Sequence, residues 1–182
     1  MSYPGRGDFG LAKGGGWPMA VVRWGTGARR WSWGRFWRLP AKYGHAAVCV
    51  GPGPGPEGAQ VVIVEATPAG VIKRNVDVTH FDWSTGGALA GQLTEEVRDE
   101  ICRNALSFLG RRYDWGSILG FVGRWAVATY VRSERTGQPA DRSLICSELV
   151  VRAYRHAGVE FPGLETRPAG TVAPSDLAPF LP

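Results

Sequence analysis

The chain has 182 residues, 44% of them hydrophobic and 20% charged, which suits one domain with a real core and excludes wholesale disorder. The net charge of +5 comes almost entirely from arginine, since Lys13, Lys42 and Lys73 are the only lysines; it allows an anionic partner without requiring one. Cys49, Cys102 and Cys146 show no CxxC spacing, so neither a disulfide framework nor a zinc site is expected, and no cofactor is implied.

Residues 1–17 are glycine-rich and read as a flexible N-terminus, without the apolar run of a secretory signal. No run approaches the ~18 apolar residues of a membrane span. The expectation is therefore a protein made in the cytoplasm, or carried in a virion, with one domain over 18–178 and a short tail at 179–182. Pro18 to Trp24 is a candidate first strand. Arg29 to Arg38 then interleaves Arg29, Arg30, Arg35 and Arg38 with Trp31, Trp33 and Trp37, a pattern suited to stacking on and neutralising a partner.

Two apolar runs, His45 to Val50 and Val61 to Ala66, flank a Gly-Pro loop and predict paired strands. Gly70 to Lys73 and Val76 to Phe81 add two strand candidates, so the first half predicts an antiparallel sheet. The second half predicts helices. Thr94 caps one, with Glu95 and Glu96 in its first turn, an apolar stripe of Val97, Ile101, Ala105 and Leu109, and a stop at Gly110. Another occupies much of 116–131. A third starts near Cys146, carries Leu149, Val150, Ala153 and Tyr154 on one face, and stops at Gly158. Strands followed by helices make an α+β fold.

Cys146 falls at this helix start, where unpaired N–H groups and the positive end of the dipole favour a thiolate over the thiol. A thiolate nucleophile needs a histidine in reach and a polar group to orient it. Of the three histidines, His156 lies far along the helix from Cys146 and His80 has no evident acid partner. His45 opens a strand whose neighbour holds Glu65 within an apolar run, where a carboxylate is costly unless paired. Pairing Glu65 with His45 would fix the imidazole tautomer and favour its charged form.

Five segments stand in register: Gly44 to Val48, Val64 to Ala66 with Gly70-Val71 after it, Gly110 to Trp115, Cys146 to Val150, and Ala173 to Leu177. Together they resemble the YiiX-like, circularly permuted branch of the NlpC-type papain-like cysteine hydrolases, over about residues 18–178. In that branch the histidine strand precedes the cysteine helix, as here. The resemblance implies a papain-like antiparallel sheet packed on helices, with Cys146 as nucleophile, His45 as general base and Glu65 as the orienting acid. It also implies Tyr113 and Ser147 as oxyanion or substrate contacts. The family opens its first strand with Gly-Asp, whereas Trp17-Pro18-Met19 precedes the strand expected here.

The implied reaction is hydrolysis of an amide or ester through an acyl-enzyme, on a cell-wall peptide or a lipid-derived or amino-acyl substrate, with acyl transfer as a relative's variant. The rival reading is a docking component of a larger assembly such as a phage tail. The segment carrying Arg29, Trp31, Trp33, Arg35, Trp37 and Arg38 would then meet a protein or an anionic surface. Nucleic acid is not the expected partner, because no recognised module surrounds that segment.

Overall fold

The computed structural model describes residues 3–12, 29–32, 35–38, 42–56, 58–114 and 143–182, with the backbone alone at 29–32, 35–38 and 143. In chain order the strands and helices are β1 (Phe9–Ala12), β2 (Arg29–Ser32), β3 (Arg35–Arg38), β4 (His45–Pro52), β5 (Gln60–Thr67), β6 (Gly70–Asp77), β7 (Asp82–Trp83), α1 (Glu95–Ser107), β8 (Arg112–Tyr113), β9 (Ser143–Leu144) and α2 (Cys146–His156). Five strands pair antiparallel in the order β6-β5-β4-β1-β7. The five-stranded sheet is complete before the first α-helix, only the short β8–β9 pair lies between the two helices, and the fold is α+β.

Alternation along the strands divides the apolar side chains between the two faces of the sheet. Ala46, Val48, Val64, Ala66 and Val71 join the larger core, to which α1 and α2 contribute Ile101, Ala105, Leu149, Val150, Ala153 and Tyr154. Ala47, Cys49, Val61, Ile63 and Val76 form a smaller cluster on the opposite face, closed by Phe81. α1 begins as its sequence predicts, with the Thr94 hydroxyl accepting from Val97 N–H at 3.4 Å and Glu95 and Glu96 in the first turn. It ends at Ser107, before the expected Gly110, and Leu109 is 41% exposed, so Leu109 leaves the predicted stripe. α2 runs to His156 and Gly158 follows at φ 78°, the left-handed conformation expected of a helix stop.

The N-terminal expectation is corrected. Residues 3–12 are not loose: Phe9–Ala12 is an inner strand, with Phe9 and Leu11 fully buried. Glycine content concealed an anchor. The Asp8 carboxylate, 1% exposed, accepts from Gly5 N–H and the Thr85 hydroxyl and pairs with Arg98 of α1 at 2.9 Å. Gly7 has φ 80°, and a Cβ there would stand 3.0 Å from the Arg98 Cα, so both its conformation and its close approach require glycine.

The C-terminus is corrected likewise: Pro174–Phe180 forms a 3-10 helix whose Leu177 and Phe180 are buried in the larger core. The expected strand over Val76–Phe81 is also corrected. β6 ends at Asp77, whose side chain accepts from Thr79 N–H at 2.8 Å and starts a 3-10 turn through His80. The candidate strand at Pro18–Trp24 and the candidate helix at 116–131 lie outside the described residues. β2 and β3 pair antiparallel, Arg29 with Arg38 and Trp31 with Phe36, and the expected partner contact of that segment concerns side chains outside those described.

Candidate active site

The register of the sheet decides which side chains can meet. Ala47 of β4 pairs with Glu65 of β5, and Glu65 pairs with Ile72 of β6. Two residues along from these partners, on the same face, stand His45 and Arg74, diagonal neighbours within reach of a long side chain. The β4–β5 ladder ends at the Ala47–Glu65 pair, whereas β4 continues beside β1 as far as His45 opposite Ala12. Beyond Ala47 the flank of β4 that faced β5 is therefore open.

The start of α2 meets that open flank. Ile145 is extended (φ −94°, ψ 163°) and Cys146 is the first helical residue, so its side chain and the free N–H groups of the first turn share one place. The thiol is 3% exposed. Burial pushes its pKa up, but the hydrogen bond and charge of His45, together with the N–H groups of Ala46 and Ser147, pull it below the ordinary thiol value.

His45 Nε2 is bonded to Glu65 Oε2 at 2.5 Å. The other ring nitrogen, Nδ1, is buried and makes no hydrogen bond of ordinary geometry, while the imidazole as a whole interacts with the Cys146 thiol. Such a contact is commonly long before substrate arrives. Burial lowers the basicity of His45, but Cys146 and Glu65 outweigh it and bring its pKa up to about 10. Burial likewise penalises the Glu65 carboxylate, which is 1% exposed, and bonds to His45 and Arg74 hold it down at about 2. Each of the three groups thus favours the charged form of its neighbour in a nearly closed space.

The structure brings together Cys146, His45 and Glu65. Tyr113 is 7% exposed and close enough to Cys146 for a thiolate there to help raise its pKa, after burial itself. Ser147 is different: its hydroxyl is fully buried and donates to the Val172 carbonyl at 2.6 Å, which removes the expected substrate contact and leaves its backbone N–H as its part in the site. His80 and His156 are exposed and stand apart, His156 against the Phe108 ring.

Two residues of the site escaped sequence reasoning. Glu148, 5% exposed, pairs with Arg152 at 2.7 Å and turns its other oxygen towards Ile145 N–H at 3.5 Å, bracing the first turn of α2. An acid at the third helical position was a readable capping signal. Arg74 bonds through Nε to Glu65 Oε1. The tight turn between Thr67 and Gly70, with φ 111° at the glycine, fixes the β5–β6 register and could have placed Arg74 diagonal to Glu65.

Compared with protein-family models and with curated proteins, the chain matches none of them. Among the described residues no group of three or more His, Cys, Asp or Glu could hold a metal ion, and no helix is long and apolar enough to cross a membrane.

Proposed function

We propose that the protein is a cysteine-dependent amide or ester hydrolase of the permuted papain-like kind, with Cys146 as nucleophile, His45 as acid and base, and Glu65 orienting His45. One observation carries the reading: the imidazole is held through Nε2 by a buried carboxylate, keeps its other nitrogen uncommitted, and interacts with a thiol of depressed pKa at a helix start. The chain order, histidine strand before cysteine helix, supports the permuted arrangement. So does Gly7-Asp8 immediately before β1, the dipeptide with which the resembling family opens its first strand.

In the reaction, the thiolate attacks the carbonyl carbon, a C–S bond forms and the carbonyl electron pair moves to oxygen, where the Cys146 N–H and the Tyr113 hydroxyl would donate. His45 gives its proton to the leaving nitrogen or oxygen as that bond breaks, leaving a thioester. Water, losing a proton to His45, attacks the thioester and restores the thiolate with release of the acid. The substrate class is a cell-wall peptide or a lipid-derived or amino-acyl group. A purely docking role would leave unexplained why so costly a set of charged groups is buried.

The test is a panel of p-nitrophenyl esters of rising chain length and amino-acyl p-nitroanilides. A burst of nitrophenol or nitroaniline and an acyl mass on the Cys146 peptide are expected; release that persists undiminished in Cys146→Ser would overturn the assignment.

A further inference from the structure

The Glu65 carboxylate is divided between two cations: Oε2 meets His45 Nε2 at 2.5 Å and Oε1 accepts from Arg74 Nε. The three residues come from three adjacent strands, β4, β5 and β6, and their side chains form a row across one face of the sheet. With Cys146 at its end the row alternates in sign: guanidinium, carboxylate, imidazolium, thiolate. Without Arg74, the buried groups of an active site in its ion-pair form would carry one uncompensated negative charge. With Arg74 they are balanced. The Arg74 side chain is 51% exposed while Glu65 is 1% exposed, so the guanidinium reaches in from the surface to a buried carboxylate.

We propose that Arg74 is a positioning residue for the reaction, fixing the Glu65 carboxylate through Oε1 so that Oε2 stays on His45 Nε2. The inference rests on the hydrolase reading above. A carboxylate on a flexible glutamate side chain has several rotamers, and only one aims an oxygen at the imidazole. A directed N–H bond to the second oxygen selects that rotamer before substrate binds, and the geometry of the guanidinium makes the bond directional where an ammonium would be only a charge.

A simple charge effect predicts the opposite sign to positioning, which makes the inference testable. Removing a cation near His45 stabilises the imidazolium and raises its pKa. Releasing Glu65 from its fixed rotamer takes away the imidazolium's partner and lowers it. The experiment is an NMR titration of His45 in protein labelled at histidine, for the parent, Glu65→Gln, Arg74→Ala and Arg74→Lys, with thermal melts to confirm folding. Arg74→Ala is expected to lower the His45 pKa by about one unit, in the same direction as Glu65→Gln. Arg74→Lys should recover part of that loss, and provides a second reading if the alanine variant is poorly folded. An unchanged or raised value in Arg74→Ala, with Glu65→Gln still lowering it, overturns the role of Arg74 and leaves the hydrolase reading standing. If Glu65→Gln itself leaves His45 unmoved, the orienting role of Glu65 fails and that of Arg74 falls with it.

Discussion

Cys146 and Cys49 are both buried, at 3% and 0% exposure, yet their thiols are driven in opposite directions. Cys49 lies inside β4, packed with Ala47, Val61 and Ile63, and burial pushes its pKa up to about 12. Cys146 lies where β4 loses its neighbour and a helix begins, so a histidine and two backbone N–H groups overturn the same penalty. Burial alone makes a thiol inert. What activates one is the meeting of a strand end with a helix start, which exposes backbone donors at a place where a charged side chain can be held.

The largest effect should come from removing the sulfur. Cys146→Ser should abolish the acyl-enzyme adduct on this residue in intact-mass spectra, whereas Cys49→Ser should leave turnover intact where the variant folds. Next comes the base: His45→Ala should cut turnover by about 10² to 10⁴ and return the Cys146 thiol towards the Cys49 kind. His80→Ala and His156→Ala, at exposed positions away from the site, should leave the rate unchanged; a comparable loss from either would assign the base wrongly. Glu65→Gln should cost about 100-fold in kcat through imidazole misplacement, with KM less affected.

Smaller effects belong to stability. Glu65 has its pKa lowered from 4.5 to about 2, so its contribution is fully present above pH 4.5 and is lost as pH falls through about 2. That contribution is on the order of 3 kcal/mol. His45 is raised from 6.5 to about 10, so its contribution is present below pH 6.5 and is lost as pH rises through about 10. Urea melts across pH should therefore place the maximum from these groups between about 4.5 and 6.5, and Glu65→Gln should flatten the acid side. An unchanged acid limb in that variant would mean that Glu65 is not held as an ion in the fold.

Much of the comparison was legible in the sequence, because it depends on local signals. Thr94 and Gly158 mark helix ends, the apolar runs around Val48 and Val64 mark strands, and Cys146 before Leu149, Val150 and Ala153 marks a thiol at a helix start. His45 and Glu65 could be paired since a carboxylate in an apolar strand needs a partner. What escaped depended on distant partners. Gly5 to Leu11 reads as loose because nothing nearby reveals that Asp8 is held by Arg98, ninety residues away. Ser147 looked available because its acceptor, Val172, comes from a later turn. Arg74 carries no sequence signal of its role, since a half-exposed arginine in a polar stretch of strand has the pattern of any surface cation.

The proposed hydrolase requires Cys146 to be an activated thiolate beside two inert cysteines. Alkylation by iodoacetamide from pH 5 to 9, followed by peptide mapping, measures it directly. Cys146 should be modified well before Cys49 and Cys102 at pH 6, with a rate that still depends on His45. Equal labelling of the three thiols at that pH, or labelling of Cys146 that survives His45→Ala undiminished, would contradict it.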